Sequence, residues 1–203
     1  MEIEVKLRLK DAESARRQLS RLGARTLGRV HERDVLFDTT DNVLQRSGRL
    51  LRVRILRKIG RPGRAGAGAK RFAAAPGMGV LTYKGPPEGG RYKAREEVEV
   101  TIDRPEAAER ILAELGFQPW FRYEKFRTSF RLSGLPRLAV ELDETPIGVF
   151  YELEGPRDCI DRAAGRLGFG AKDYVTASYY DLFLPEHRRL GLRPDAMLFP
   201  AST

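Results

Sequence analysis

Apolar and polar residues alternate along most of this chain, and a period of two is the mark of a strand with one buried face. In residues 2–10, Ile3, Val5, Leu7 and Leu9 fall on one side and Glu2, Glu4, Lys6 and Arg8 on the other. Similar patterns predict strands at 25–39, 49–59, 80–84, 93–103 and 118–132, and a hairpin from 136–143 and 148–155. Helices are predicted from Asp11, a good N-cap, to about Leu22 with Gly23 as the stop, and over 104–116 with Pro105 in the first turn. Two more are expected at 158–168 and 174–184. Residues 40–42 read as a polar turn, 60–79 as a mobile Gly/Ala/Pro/Arg loop, and 185–203 as a loosely attached tail. A strand–helix–long strand order recurs in the two halves, a weak internal duplication. Short turns between successive strands favour an antiparallel sheet in an α+β fold.

The polar faces of these strands are almost wholly ionic. Arg52 and Arg54 share a face; so do Lys93, Arg95, Glu97 and Glu99; so do Tyr123, Lys125, Arg127, Ser129 and Arg131. Acids stand two apart at Glu2/Glu4, Glu97/Glu99, Glu141/Asp143 and Glu152/Glu154. Carboxylates so placed repel unless a cation lies between them. An ordinary solvated sheet face explains any single strand. The whole set is better explained by a sheet curled into a barrel with its ionic wall inward, acids holding divalent cations and bases holding a polyphosphate.

Composition narrows the chemistry. The net charge is +9. It is uneven: residues 1–100 carry 23 Lys/Arg against 12 Asp/Glu, whereas the remainder carries slightly more acids than bases. A polyanionic partner is the natural expectation. One cysteine, Cys159, and two histidines, His31 and His187, leave no soft-ligand metal cluster, so a metal would be held by carboxylates. There is no run of about 20 apolar residues to span a membrane and no leader pattern, so a cytoplasmic location is expected. Only eight lysines occur, and Lys6, Lys84, Lys93, Lys125 and Lys172 fall at ionic faces or strand ends. Lysine can give up its proton where arginine cannot. Phe37, Trp120 and Phe126 could stack a nucleobase but read better as core.

Several segments, in order, resemble the CYTH superfamily of triphosphate tunnel metalloenzymes, in its class IV adenylate cyclase-like branch. Glu2-Ile3-Glu4-Val5-Lys6 resembles its ExExK signature, Leu51-Arg52-Val53-Arg54 its LRxR strand, and Leu81-Thr82-Tyr83-Lys84-Gly85-Pro86 its LTYKGP segment. Arg95-Glu96-Glu97-Val98-Glu99, Glu124-Lys125-Phe126-Arg127, Glu141-Leu142-Asp143, Tyr151-Glu152-Leu153-Glu154 and Ser178-Tyr179-Tyr180-Asp181-Leu182 match later segments. The resemblance covers residues 1–184 as one domain, with 185–203 as a tail. It implies an eight-stranded antiparallel β-barrel, the triphosphate tunnel, with flanking helices, a Mg²⁺ or Mn²⁺ cofactor and a triphosphate-containing small molecule such as tripolyphosphate or ATP.

Carried over by position, Glu2, Glu4, Glu97, Glu99, Glu141, Asp143, Glu152 and Glu154 would serve the metal. Lys6, Arg52, Arg54, Lys84, Arg95, Lys125, Arg127 and Lys172 would bind phosphates, and Lys6 with Glu4 would be catalytic, Lys6 activating water. The expected reaction is triphosphate hydrolysis. Adenylate cyclase chemistry is the first alternative and a polyphosphate- or RNA-binding module, using the 60–79 loop, the second. The first motif has no His-Phe pair ahead of it of the kind class IV cyclases often carry, which places hydrolysis first. Nucleic acid is the less favoured partner, and a homodimer is compatible with this branch.

Overall fold

Alternating sequence becomes alternating burial. A computed structural model describes residues 1–60 and 78–200. Its strands are β1 (Glu2–Leu9), β2 (Arg25–Asp38), β3 (Leu50–Ile59), β4 (Gly79–Lys84), β5 (Lys93–Arg95), β6 (Glu97–Ile102), β7 (Gln118–Arg131), β8 (Ala139–Thr145), β9 (Gly148–Glu154) and β10 (Ala196–Met197). The helices are α1 (Ala12–Arg21), α2 (Val43–Arg46), α3 (Pro105–Glu114), α4 (Arg157–Arg166) and α5 (Tyr179–Phe183).

The order across the sheet is β5-β1-β9-β8-β7-β2-β3-β4-β6, antiparallel at every step. The terminal strands β5 and β6 are separated only by Glu96, so the sheet is a nearly closed barrel of nine strands. The expected eight become nine because the single strand anticipated at 93–103 changes partner at Glu96. Lys93–Arg95 pairs with β1, and Glu97–Ile102 pairs with β4. The internal duplication is visible in the topology. Two β-α-β-β-β units, β1 to β4 and β6 to β9, meet along their 14-residue strands β2 and β7. Each unit also lends its first strand to the other, β1 to β9 and β6 to β4.

Helices cover the barrel unequally. In α1, Asp11 accepts a hydrogen bond from Ser14 N at 2.8 Å and caps the first turn. Its buried Ala15 and Leu19, with Ile160, Ala163 and Ala164 of α4, pack on Val5, Leu7, Val140, Leu142 and Leu153, the outward faces of β1, β8 and β9. The other helix, α3, buries only Pro105 and Leu112.

Two local expectations are corrected. No helix spans 174–184. Val175 exchanges backbone hydrogen bonds with Lys6 at 2.9 Å each way, and α5 begins only at Tyr179, where Ser178 and Asp181 form a capping box. A β-branched pair, Val175-Thr176, followed by a capping serine favours an extended segment and then a helix start. The tail is not loose over its described part. Met197 is fully buried, β10 runs parallel to β7, and Phe199 packs on Phe126. After the polar turn, α2 forms because the Asp38 carboxylate accepts from Leu44 N and Gln45 N at 2.9 and 2.8 Å. The 60–79 loop falls almost entirely outside the described residues.

Candidate functional site: an ionic tunnel

Within the barrel the ionic faces converge. A cavity with about 540 Å³ of empty space, solvent at its mouth included, is lined by eight bases, five acids, Leu50, Tyr123, Ser178 and Tyr179. The bases are Lys6, Arg52, Arg54, Lys84, Lys93, Arg95, Lys125 and Arg127; the acids are Glu2, Glu4, Glu97, Glu99 and Glu152. Each base projects from a strand position of inward parity, which is why residues two apart in sequence stand together here.

Most of the charges form one alternating chain around the wall. Lys93 Nζ lies 3.1 Å from Glu4, and Lys6 Nζ lies 3.0 Å from Glu4 and 3.7 Å from Glu152. Arg127 joins Glu152 at 2.7 Å to Asp143 at 2.6 Å, and Lys125 joins Asp143 at 2.7 Å to Glu32 at 3.5 Å. Arg54 joins Glu32 at 3.0 Å to Asp34, which it grips through Nε and Nη2 at 2.7 and 3.0 Å. Arg52 closes the series between Asp34 at 3.8 Å and Glu99 at 3.4 Å. A second short chain sets Lys84 between Glu2 at 2.6 Å and Glu97 at 2.9 Å, with Arg95 3.6 Å from Glu2.

Burial raises the stakes of each pair, because removing one partner strands a charge away from water. Burial alone would raise the Glu4 carboxyl; the Lys6 ammonium, with Lys93 and Lys84, overcomes it and holds the group well below the carboxylate range. Glu152 is likewise held low, against burial, by Arg127, Lys125 and Lys6. Lys6 moves up: burial favours its neutral form, but Glu4 and Glu152 keep its proton on. Lys6 thus stands here as the cationic partner of both carboxylates. Lys93 is the lysine with the loosened proton, pushed down to about 8 by burial and by the neighbouring Lys6.

The other expected residues divide. Asp143 is fully buried behind the lining, its two oxygens taken by Lys125, by Arg127 and by the Tyr179 hydroxyl at 2.7 Å. It anchors bases and does not face the cavity. Glu141 is also behind the wall, hydrogen-bonded by Ser129, and burial lifts its carboxyl to about 7. Glu154 is half-buried at the end of β9 and does not line the cavity. Lys172 is exposed on the 3-10 turn Ala171–Asp173, ahead of the Val175 bridge, and does not reach the cavity either. Sequence reading missed Glu32 and Asp34, although they are an acid pair two apart on a predicted strand, the same signal used elsewhere. Ser178 and Tyr179, quoted in the last matching motif but not among the expected site residues, also line the cavity.

Two features fit a phosphate-rich ligand with a divalent cation. Arg52 Nε and Arg95 Nε are buried and donate no hydrogen bond, so unspent guanidinium donors stand in the wall. Lys6 and Lys84 each place one positive nitrogen between two carboxylates, showing that Glu4/Glu152 and Glu2/Glu97 can share a cation. Among the described residues no three carboxylates stand together as a ready-made metal cage. None of the described helices is long and apolar enough to cross a membrane.

Comparison with known proteins agrees with this architecture. A protein of Methanocaldococcus jannaschii named "Putative adenylate cyclase" is 25% identical over 154 residues, 76% of each chain. The solved structure of a Pyrococcus horikoshii protein is 26% identical with a TM-score of 0.68, covering 90% of this chain and 99% of its own. A Hippeastrum structure, titled as a "putative adenylyl cyclase" that reveals a dominant triphosphatase activity, shares the fold at 23% identity and a TM-score of 0.63, covering 95% and 97%. The CYTH domain model matches residues 1–165, which include every strand but β10 and nearly all of the ionic wall, and the chain belongs to the CYTH domain family.

Proposed function

We propose that this tunnel binds a triphosphate and, with Mg²⁺ or Mn²⁺, hydrolyses it. The observation that carries this reading is the lining itself: of its seventeen residues, thirteen are ionised side chains and only Leu50 is aliphatic. Such a wall recognises a chain of phosphates and offers little to a nucleobase. The three aromatic residues that could have stacked a purine are engaged elsewhere. Phe37 is buried in core, Trp120 packs edge-on against Tyr180, and Phe126 lies between His31 and Phe199.

Glu4 and Glu152, with Glu2, would hold the cation, displacing the Lys6 and Lys84 ammonium groups toward the phosphates. When bound, the metal neutralises phosphate oxygens and polarises the phosphorus. The chain's own part is electrostatic. Arg52 and Arg54 come from β3, Lys125 and Arg127 from the central strand β7; all four are almost fully buried and are aimed before the substrate arrives. Charge-assisted hydrogen bonds from such groups strengthen as charge gathers on the leaving oxygens. Phosphoryl transfer through a loose transition state needs positioning and charge stabilisation more than a strong base.

The test is an assay with tripolyphosphate or ATP and Mg²⁺ or Mn²⁺, following phosphate, pyrophosphate and cyclic AMP together. Phosphate without cyclic AMP is the expected result. Cyclic AMP with equimolar pyrophosphate would replace hydrolysis by the cyclase reaction suggested by the name of the M. jannaschii relative. In Glu4→Gln, turnover falls by at least ~10³-fold while the fold survives; retained turnover would remove Glu4 from the metal's shell.

A further inference from the structure

The family match ends at residue 165, yet one part of the cavity wall comes from beyond it, from Ser178 and Tyr179 at the start of α5. Tyr179 is buried, and its surroundings are not those of an ordinary core tyrosine. Its hydroxyl donates to Asp143 Oδ2 at 2.7 Å, the oxygen that also accepts from Lys125 and Arg127. Its ring centroid lies 5.2 Å from Lys6 Nζ and 4.8 Å from Lys125 Nζ. Those two ammonium groups belong to separate parts of the ion-pair chain, and Tyr179 touches both. The residue is itself firmly held. Phe150 packs edge-on at 5.5 Å, Ser178 caps the helix, and Phe183 and Met197 are fully buried in the same cluster.

We propose that Tyr179 is a positioning residue for the phosphate-binding cations, acting on Lys6 and Lys125 through its ring and on Lys125 and Arg127 through the hydroxyl it gives to Asp143. This rests on the reading that the cavity takes a triphosphate. For a phosphate to bind, Lys6 and Lys125 must turn from carboxylates to phosphate oxygens. An aromatic face holds an ammonium group at the cavity surface without adding a negative charge that competes with the ligand. The hydroxyl occupies part of Asp143 Oδ2; without it, Lys125 and Arg127 are drawn harder to that carboxylate and are less available. Burial and the Asp143 charge push the phenol well above its usual range, so it stays a donor. The consequence is on affinity more than on the chemical step.

The experiment compares wild type, Tyr179→Phe and Tyr179→Leu. Tripolyphosphate binding is measured by calorimetry in chelator, phosphate release is measured with Mg²⁺, and folding is followed by thermal unfolding. Losing one charge-assisted hydrogen bond weakens binding by roughly 10-fold in Tyr179→Phe. Losing two ring–ammonium contacts as well takes Tyr179→Leu to roughly 100-fold. In both, KM rises more than kcat falls, and Phe rescues part of the Leu defect. If both variants bind like wild type, or if kcat and thermal stability fall together with KM unchanged, Tyr179 is a packing residue and the inference is overturned while the hydrolase reading stands. If wild type binds tripolyphosphate without releasing phosphate and the graded loss of binding is still seen, hydrolysis fails and the inference stands. A wild type that does not bind tripolyphosphate overturns both.

Discussion

The two sides of the tunnel are built differently. On the side of β1, β7, β8 and β9, the outer faces of β1, β8 and β9 are sealed by α1 and α4, and the inward charges are nearly inaccessible: Asp143 is 0% exposed, Lys6 and Lys125 2%. On the side of β3, β4 and β6, α3 packs on the outside of β3 and β4, Val98 and Val100 are more than half exposed, and inside, the Glu99 side chain is 30% exposed. The first side fixes charges in a dry, tightly packed wall, where their fields are strong and their geometry costs little to maintain. The second is where solvent enters and where side chains have room to rearrange. Buried cations stand on both sides, Arg52 and Arg54 on β3 as well as Lys125 and Arg127 on β7, so the difference lies in the outer cover and in the β6 edge, where a highly charged ligand can enter.

Ion pairs should separate the two sides most widely. Asp143→Asn leaves Lys125 and Arg127 short of a counter-charge in a buried place and should cost about 3–5 kcal/mol in denaturant unfolding, measured in chelator. Glu99→Gln, at the solvent-facing side, should cost less than about 1 kcal/mol in the same experiment. Similar losses would erase the distinction. Apolar packing gives the next contrast. Leu153→Ala, beneath α4 and fully buried, should cost about 2–5 kcal/mol. Val100→Ala, on the thinly covered face, should stay within about 0.5 kcal/mol of wild type; a loss comparable to that of Leu153→Ala would show that another surface covers it in solution.

A smaller effect sharpens the picture of the dry wall through pH. Burial raises Glu141 to about 7 from an ordinary value of 4.5, so between these values the folded protein holds a proton that the unfolded chain releases. The stability this group contributes is complete below about 4.5 and is lost as pH rises to about 7. Glu141→Gln should flatten that slope and stabilise the protein at pH 8 by about 1–3 kcal/mol relative to wild type. An unchanged slope would mean that Glu141 is solvated or paired.

Much of the site was legible because strand parity is a local property. Glu2, Glu4 and Lys6 must share a face whatever the sheet does, and so must Arg52 with Arg54 and Lys125 with Arg127. Which residues line the cavity depends on more than parity. Lys172, expected among the phosphate ligands by position, is exposed and outside the cavity lining in this structure, ahead of the extended pairing of Val175 with Lys6. Glu32 and Asp34 were passed over because their strand also carries Val30, Leu36 and Phe37 and does not look like an ionic wall. Tyr179 is helical as expected, but its place in the cavity wall depends on α5 docking against β7, β8 and β9, which nothing near it in the chain announces.

The sequence by itself determined the strands, their two-faced character, the ionic composition of one face and the family to which the motifs point, since each depends on neighbours within a few residues. Tertiary structure alone decided which charge answers which. It set Lys6 between Glu4 and Glu152, placed Asp143 behind the wall against Lys125 and Arg127, and brought Tyr179 from the far end of the chain onto two ammonium groups. Curling a sheet joins residues more than a hundred positions apart, and both the energy of a buried charge and its proton affinity are set by the partners it meets there.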